Sequence, residues 1–306
     1  MPTIVPTPKI WMNGELVDWA DAKIHVLTHT LHYGTGVFEG IRAYETSQGP
    51  AVFRLTDHIQ RLHNSARILM MDLPYSVDEL VQACKDTVRA SGLPSCYVRP
   101  IAYYGYGEMG LNTLPCEVDV AIACWPWGAY LGDDAVTKGV RMKISSWRRH
   151  DHNVMPPSAK TTGNYVNSSL AKVEALKAGY DEAIMLNLAG DVSECTGENI
   201  FVARNGILIT PPISAGALEG ITQDSVMSIA RDLGFECRVD GLSRSDLYIA
   251  EEIFLSGTAA EISSVNSVDD RAVPCPGPMT TAIAEMYGRV VRRQEPAYRD
   301  WCELAG

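Results

Sequence analysis

The sequence has 306 residues, 46% of them hydrophobic and 21% charged, with a formal net charge of -11. A chain of this length can bury a large core without disulfide or metal staples, and at roughly 100–200 residues per domain it holds two domains or one large one. Its acidity argues against nucleic acid and anionic membranes as partners, although a local basic pocket can still bind a small anion.

Residues Met1 to Lys9 lack the basic start and apolar run of a signal peptide. The most apolar stretch, Val118 to Leu131, is interrupted by Asp119, Pro126 and Gly128 and is too short to span a bilayer. Both features point to the cytoplasm. The eight cysteines are scattered without a C-x-x-C pair, which reads as free core thiols in a reducing compartment.

Asn13-Gly14 marks a hairpin within Ile10 to Val17. Ala51 to Leu55 reads as a strand, and Thr56 as the cap of a helix with apolar face Ile59, Leu62, Ala66 and Leu69. Ser76 with Glu79 forms a capping box for a second helix, striped by Leu80, Cys84 and Val88 and stopped by Gly92. Strands follow at Cys96 to Tyr104 and Glu117 to Cys124. Residues 1–126 are expected to form a smaller domain, 127–138 a linker and 139–306 a larger domain. In the latter, Gly139 to Ser145 is a strand. Asn164 to Lys177 is an amphipathic helix whose packing stripe is Val166, Leu170, Val173 and Leu176. Further strands lie at Glu182 to Leu188, Ile200 to Arg204 and Ile207 to Thr210, the last two joined by the hairpin turn Asn205-Gly206. A helix from Ile221 to Gly234, a strand near Phe235, a short helix near Asp246, a strand from Glu252 to Leu255 and a helix from Met279 to Arg293 complete the chain. Strands and helices do not alternate steadily, which indicates α+β rather than a doubly wound sheet.

Three segments can carry chemistry. Lys160 lies in Pro156-Pro157-Ser158-Ala159-Lys160-Thr161-Thr162-Gly163, with no other charge nearby. A shaped, uncharged turn can desolvate an amine, the condition Schiff-base chemistry needs; the ordinary alternative is a surface lysine. Asp191 to Asn199 reads as a polar turn in which a carboxylate, Glu194 among them, can pair with a buried cation such as a protonated pyridine, or simply sit in solvent. Leu218-Glu219-Gly220-Ile221-Thr222 places a glycine at a helix start, where free backbone N–H groups suit a phosphate, though a plain helix cap looks the same. Ser256-Gly257-Thr258-Ala259-Ala260 offers a similar donor-rich backbone, and Arg61 a cation. His25, His29 and His32 lack the acidic or Cys partners of a metal site. His150-Asp151-His152 has no G-x-S-x-G serine to serve, and Gly34, Gly36 and Gly40 miss the dinucleotide register. No metal is expected.

In order along the chain, Leu31 to Arg42, Gln60-Arg61-Leu62, Tyr97-Val98-Arg99-Pro100, Pro126 to Tyr130, the Lys160 and Glu194 segments, Gly220-Ile221-Thr222 and Ser256 to Glu261 resemble the class IV, fold-type IV pyridoxal-phosphate aminotransferases, and within them the branched-chain amino acid aminotransferases. The resemblance spans residues 10 to about 290. It implies a two-domain α+β fold with a smaller N-terminal α/β sandwich and a larger C-terminal pseudo-barrel. It also implies pyridoxal 5'-phosphate as cofactor and transamination of leucine, isoleucine and valine with 2-oxoglutarate. Lys160 would form the internal aldimine and shuttle the proton. Glu194 would pair with the pyridine nitrogen and Tyr165 with the ring hydroxyl. Arg61, Ile221, Thr222 and Thr258, with the Leu218 and Gly220 turn, would hold the phosphate. Tyr97 and the Thr258 and Ala259 backbone would take the substrate α-carboxylate, Tyr33, Phe38, Arg42, Trp127 and Tyr130 the side chain, and Arg99 the distal carboxylate of glutamate. Thr161-Thr162 departs from smaller residues in many relatives and bears on fine specificity. The resemblance further implies a homodimer or higher homo-oligomer, up to a hexamer, whose pocket borrows Tyr33 and the loop Gly107 to Leu111 from a neighbour. Two competing readings are a D-amino acid or (R)-amine transaminase or aminodeoxychorismate lyase on the same fold, against which Tyr97-Val98-Arg99 speaks, and a cofactor-free binding protein on a decayed scaffold, against which Lys160, Glu194 and Arg61 speak.

Overall fold

The computed structural model describes residues 4–128, 131 and 135–306, residues 135 and 136 by backbone alone. Two compact units emerge, one from Met1–Trp127, Ala159–Gly163 and Arg289–Gly306, the other from Gly128–Ser158 and Asn164–Gly288. Helices accompany an antiparallel sheet in the first unit and a mixed sheet in the second, which makes the class α+β, as expected.

The first unit contains β1 (Lys9–Met12), β2 (Glu15–Asp18), α1 (His29–Tyr33), β3 (Gly36–Phe38), β4 (Ile41–Tyr44), β5 (Ala51–Phe53), α2 (Leu55–Ile68), α3 (Val77–Ser91), β6 (Cys96–Tyr104) and β7 (Val118–Trp125). The sheet runs C-terminal strand, β5, β4, β6, β7, β1, β2, and β3 also pairs with β6. Asn13 and Gly14 both take positive φ at the expected hairpin. Side chains alternate across a strand, so Val98, Ala102 and Tyr104 of β6 join Val120, Ile122 and Cys124 of β7 in the core with Ile59, Leu62, Leu80 and Val88 from the helices. Each fully buried Leu or Ile contributes roughly 1.5–3 kcal/mol. The opposite sheet face is left with Tyr97, Arg99 and Trp125. The Ser76 and Glu79 capping box forms as read from the sequence. Thr56, however, does not cap α2: Arg54, in the left-handed region, is the N-cap, and the Thr56 amide and hydroxyl donate to Glu303 at 3.0 and 2.8 Å.

That contact belongs to a correction of the domain bounds. Residues Arg289–Gly306 fall in the first unit and not with 139–306. The C-terminal strand Cys302–Leu304 pairs antiparallel with β5, and Ala305 is buried in the same core. Ala159–Gly163 also joins the first unit, because it runs beside β3: the Phe38 amide donates to the Lys160 carbonyl at 3.0 Å, and Thr162 and Gly163 amides donate to Gly36 and Gly34. Within the expected linker 127–138, Trp127 belongs to the first unit, Ala135–Lys138 is a helical turn (α4) and Leu131 packs on the core of the second.

The second unit continues with β8 (Val140–Ile144), α5 (Tyr165–Lys177), β9 (Glu182–Leu186), β10 (Val192–Cys195), β11 (Asn199–Arg204), β12 (Ile207–Thr210), α6 (Ile221–Asp232), β13 (Cys237–Val239), α7 (Arg244–Tyr248), β14 (Glu252–Gly257), β15 (Glu261–Val268), β16 (Arg271–Ala272) and α8 (Pro278–Val290), whose last two residues count with the first unit. Its sheet order is β10-β9-β8-β15-β14-β11-β12-β13, with β16 beside β15. Phe201 and Phe254 face each other across β11 and β14 and stack at 4.9 Å, the cross-strand pairing that stabilises sheets. Two expectations fail here. The stripe Val166, Leu170, Val173 and Leu176 is exposed, and α5 instead buries Ser168, Ala171 and Ala175. Small residues let the helix approach its sheet closely, and that packing overrides the larger apolar period. The segment around Glu194 is not a polar turn: Val192–Cys195 is a strand with all four residues buried. Of its polar side chains, Glu194 is met by Leu218 and Arg149 from other elements, whereas the buried Ser193 hydroxyl has no hydrogen-bond partner among the described residues. No helix among the described residues is long and apolar enough to cross a membrane.

Candidate active site

In the first unit, strand register gathers the expected substrate-side residues. Phe38 pairs with Ile101, and both Arg42 and Trp125 lie opposite Tyr97, so Phe38, Arg42, Tyr97, Arg99 and Trp125 share one sheet face. The rings of Trp125 and Trp127 lie 5.1 and 4.6 Å from that of Tyr97. Arg99 lies over Phe38 at 4.7 Å and beside Tyr97 and Trp125, its Nη2 donating to the Tyr97 hydroxyl at 3.2 Å. Its buried Nε has no hydrogen-bond partner among the described residues. A guanidinium against aromatic faces is held by cation–π attraction while presenting an N–H fork. Gly40 is required here, since a Cβ would overlap the Tyr97 hydroxyl. Arg42 lies over Tyr44 at 5.0 Å.

Lys160 is half-buried; its backbone amide donates to Ser65 Oγ at 3.0 Å, and its Nζ lies 5.2 Å from the Phe38 ring centre. Thr161 is buried, and the Thr162 hydroxyl donates to the Gly34 carbonyl at 2.8 Å. The threonine pair thus fastens the lysine segment to the strand bearing Phe38. Arg61 projects from α2 into a buried triad that sequence reading missed. Its Nε and Nη2 donate to Glu39 at 2.7 and 2.8 Å, and His58 Nδ1 bonds the same carboxylate at 2.7 Å. Burial would raise the Glu39 carboxyl, but the charge and hydrogen bonds of Arg61, with the hydrogen bond of His58, hold it well below the usual carboxylate range. Burial pushes the His58 imidazole down, so it donates from Nδ1 as a neutral ring. The one sequence clue was an acid, Glu39, within an otherwise apolar run.

Tyr33 ends α1, exposed, with its ring 4.6 Å from that of buried His29. His29 is a structural clamp, its Nδ1 bonded to the Thr35 hydroxyl at 2.8 Å and its Nε2 donating to the Gly110 carbonyl at 2.7 Å. It fastens Gly110 of the loop Gly107 to Leu111, in which Leu111 is exposed.

The second unit assembles the remaining residues. Glu194, 6% exposed on β10, receives the Leu218 amide on Oε2 at 2.9 Å and Arg149 Nη2 on Oε1 at 2.6 Å. Asn199 Nδ2 donates to the Leu218 carbonyl at 3.0 Å. Three residues beyond Leu218, α6 starts at Ile221 with Gly220 as N-cap, and no side chain of the cap residue bonds its first amides. Ile221 and Thr222 are buried. A buried carboxylate and an open helix N-terminus therefore sit on one turn. Tyr165 is the first residue of α5, and Thr258 and Ala259 occupy the turn between β14 and β15. Arg149 and Asn199 were missed, and no local pattern marks either. His150 and His152 ring nitrogens bond backbone carbonyls of Asn164 and Ser214, so that stretch is a polar loop, as read. Tyr130 lies outside the described residues.

The second unit offers what a phosphorylated pyridine needs, an acid for a ring N–H and an amide cradle for a dianion. The first unit carries a lysine amine, the group that takes an aldehyde carbon. The family model for amino-transferase class IV matches residues 36–268. The branched-chain-amino-acid aminotransferase of Escherichia coli (strain K12) is 48% identical over 282 residues, covering 91% of both chains. The crystal structure of the branched-chain aminotransferase from Thermoproteus uzoniensis with norvaline superposes with TM-score 0.94 at 46% identity, covering 98% of this chain and 100% of that one. The branched-chain amino acid aminotransferase from Thermobaculum terrenum in its PLP-form gives 0.93 at 36%, with 98% and 99% covered.

Proposed function

The chain belongs to the class IV aminotransferases, and from that premise we propose that it exchanges the amino group of leucine, isoleucine and valine with 2-oxoglutarate, using pyridoxal 5'-phosphate. The observation that carries the cofactor reading is the single turn holding both the buried Glu194 carboxylate and the open N-terminus of α6. When bound, the cofactor supplies an electrophilic carbon for the amino group and a ring that accepts the electrons left as the α-proton departs.

The residues divide that work. Lys160 Nζ is the nucleophile and the group that takes and returns the proton at the substrate α-carbon. Glu194 accepts the pyridine N–H, and Tyr165 bonds the ring hydroxyl. Arg61, the amides of Gly220, Ile221 and Thr222, and Thr258 hold the phosphate, while the Leu218 amide is already taken by Glu194. Arg61 reaches this role with its guanidinium already aimed by Glu39. Tyr97 and the backbone of Thr258 and Ala259 orient the α-carboxylate.

Dual substrate acceptance follows from the face built on β6. Phe38, Tyr97 and Trp127, with Tyr33 and Arg42, suit a branched apolar side chain. Arg99 within the same wall pairs with the distal carboxylate of glutamate. We assign a homodimer or higher homo-oligomer, up to a hexamer, acting in the cytoplasm. In support, Val26, Leu31, Tyr106 and Leu111 are all exposed on the first unit, and large apolar groups left in contact with water are favourable sites for a protein partner.

The test is the visible absorption of the purified protein. A band that bleaches with L-leucine and returns with 2-oxoglutarate supports both half-reactions. A band responding only to a D-amino acid or an (R)-amine moves the activity to a relative on the same fold. No band after adding pyridoxal phosphate overturns the reading.

A further inference from the structure

Arg149 is 5% exposed and makes no contact that the proposed chemistry uses directly, yet its guanidinium reaches three separate elements. Nη2 lies 2.6 Å from Glu194 Oε1 on β10. Nη1 donates to Ser168 Oγ on α5 at 3.2 Å, and Nε donates to the Gly216 carbonyl at 3.3 Å. Its own backbone is pinned, the amide donating to the Leu186 carbonyl of β9 at 2.9 Å. Gly216 has φ +99, and a Cβ there would crowd Ser193 Oγ at 3.2 Å and the Arg149 side chain at 3.3 Å, so the turn packs directly on this arginine.

Each of the three elements bears a residue assigned above to the cofactor. Ser168 lies three residues after Tyr165 on α5, and positions three apart share a helix face. Gly216 opens the turn that continues through Leu218 and Gly220 to Ile221. Glu194 is bonded directly. We propose that Arg149 is the positioning residue that sets Glu194, the Tyr165 end of α5 and the Gly216–Gly220 turn in register for the pyridine ring and its phosphate. The inference rests on the pyridoxal-phosphate reading of this site.

Geometry explains why the residue is an arginine. A planar fork directs N–H groups along several fixed directions, whereas a lysine offers a single nitrogen. Both Glu194 oxygens are engaged, one by Arg149 and one by the Leu218 amide, so the carboxylate cannot rotate away. The buried charge of Glu194 also needs a compensating cation, since an unpaired carboxylate in such a place is expensive to desolvate.

The experiment measures pyridoxal phosphate affinity of the apoprotein by titration, in wild type, Arg149→Gln, Arg149→Lys, Glu194→Gln and the Arg149→Gln/Glu194→Gln double variant. The expected result is about a ten- to hundred-fold weaker Kd for Arg149→Gln, the worth of a charge-assisted hydrogen bond, with Arg149→Lys recovering part of it. In the Glu194→Gln background, Arg149→Gln should add less than about two-fold, because the two residues act as one unit; a purely structural arginine would cost the same factor in both backgrounds. An Arg149→Gln Kd within about two-fold of wild type, or equal losses in the two backgrounds, overturns the proposal. If Arg149→Gln does not fold, Arg149→Lys decides by the same comparison: a loss confined to the Glu194 background supports the proposal and an equal loss overturns it. Wild-type protein that takes up no pyridoxal phosphate overturns the functional reading instead, so the two failures are distinct.

Discussion

Replacing Glu39 with glutamine tests whether the buried triad beneath Arg61 is as important as its geometry implies. Glu39 is fully buried and accepts two hydrogen bonds from Arg61 and one from His58, all at 2.7–2.8 Å. The amide keeps the volume, removes the charge and turns a donor toward donors. It leaves Arg61, whose side chain is only 12% exposed, without its counter-ion. Breaking one partner of a buried pair costs about 3–5 kcal/mol, a large share of a typical stability of about 5–15 kcal/mol. Urea unfolding of the apoprotein should show the midpoint fall by about 1–2 M, taking a slope of about 3 kcal/mol/M. The same variant should bind pyridoxal phosphate more weakly, because Arg61 is no longer aimed. The pH dependence has a definite sign. The folded carboxyl is held below its unfolded range, so its stabilisation is complete above about pH 4.5 and drains away as pH falls from there toward the folded value. Glu39→Gln should therefore flatten the acid limb of the stability profile. A loss under about 0.5 kcal/mol with an unchanged acid limb would refute this account of the triad, since that is the range of ordinary surface changes.

Three other outcomes follow. Lys160→Ala should abolish turnover in both half-reactions; near-normal activity would remove Lys160 from its assigned role. Arg99→Leu should lower kcat/KM for glutamate about ten- to hundred-fold while changing that for leucine less than about three-fold, because only the distal carboxylate loses a charge-assisted partner; equal losses on both substrates would contradict the pocket assignment. Glu198 is buried, and burial, followed by the nearby Glu182 charge, pushes its carboxyl up to about 8. A group raised in the folded state gives stability that is intact below its unfolded value and declines as pH rises toward about 8. Glu198→Gln should thus raise Tm at pH 8 more than at pH 5, and thermal melts showing the same shift at both pH values would exclude a titrating Glu198.

Local pattern was legible wherever the deciding forces were local. The hairpin turns at Asn13-Gly14 and Asn205-Gly206 and the capping box at Ser76 depend on a few adjacent residues. Thr56 misled because the left-handed turn at Arg54 and the acceptor Glu303, 247 positions away, decide what its hydroxyl does. The α5 stripe misled because periodicity reports which residues share a face, not which face meets the sheet. Alanines and Ser168 won that contact by allowing close approach. The segment around Glu194 was read as a turn because Val192–Cys195 buries polar residues, and the partners that hold Glu194, Arg149 and the Leu218 amide, are distant in the chain.

The sequence by itself determined the class of the protein. The ordered motifs around Phe38, Arg61, Tyr97, Lys160, Glu194, Ile221 and Thr258 belong to one family, and an amine, an acid and a glycine-led helix start are written in residue types. Only the tertiary structure decided how those groups are held. Glu39 and His58 behind Arg61, Arg149 behind Glu194, and the return of Cys302–Leu304 to β5 all join residues far apart in the chain. Such partners are chosen by burial, because a charge removed from water must find its counter-charge wherever the fold brings one within reach.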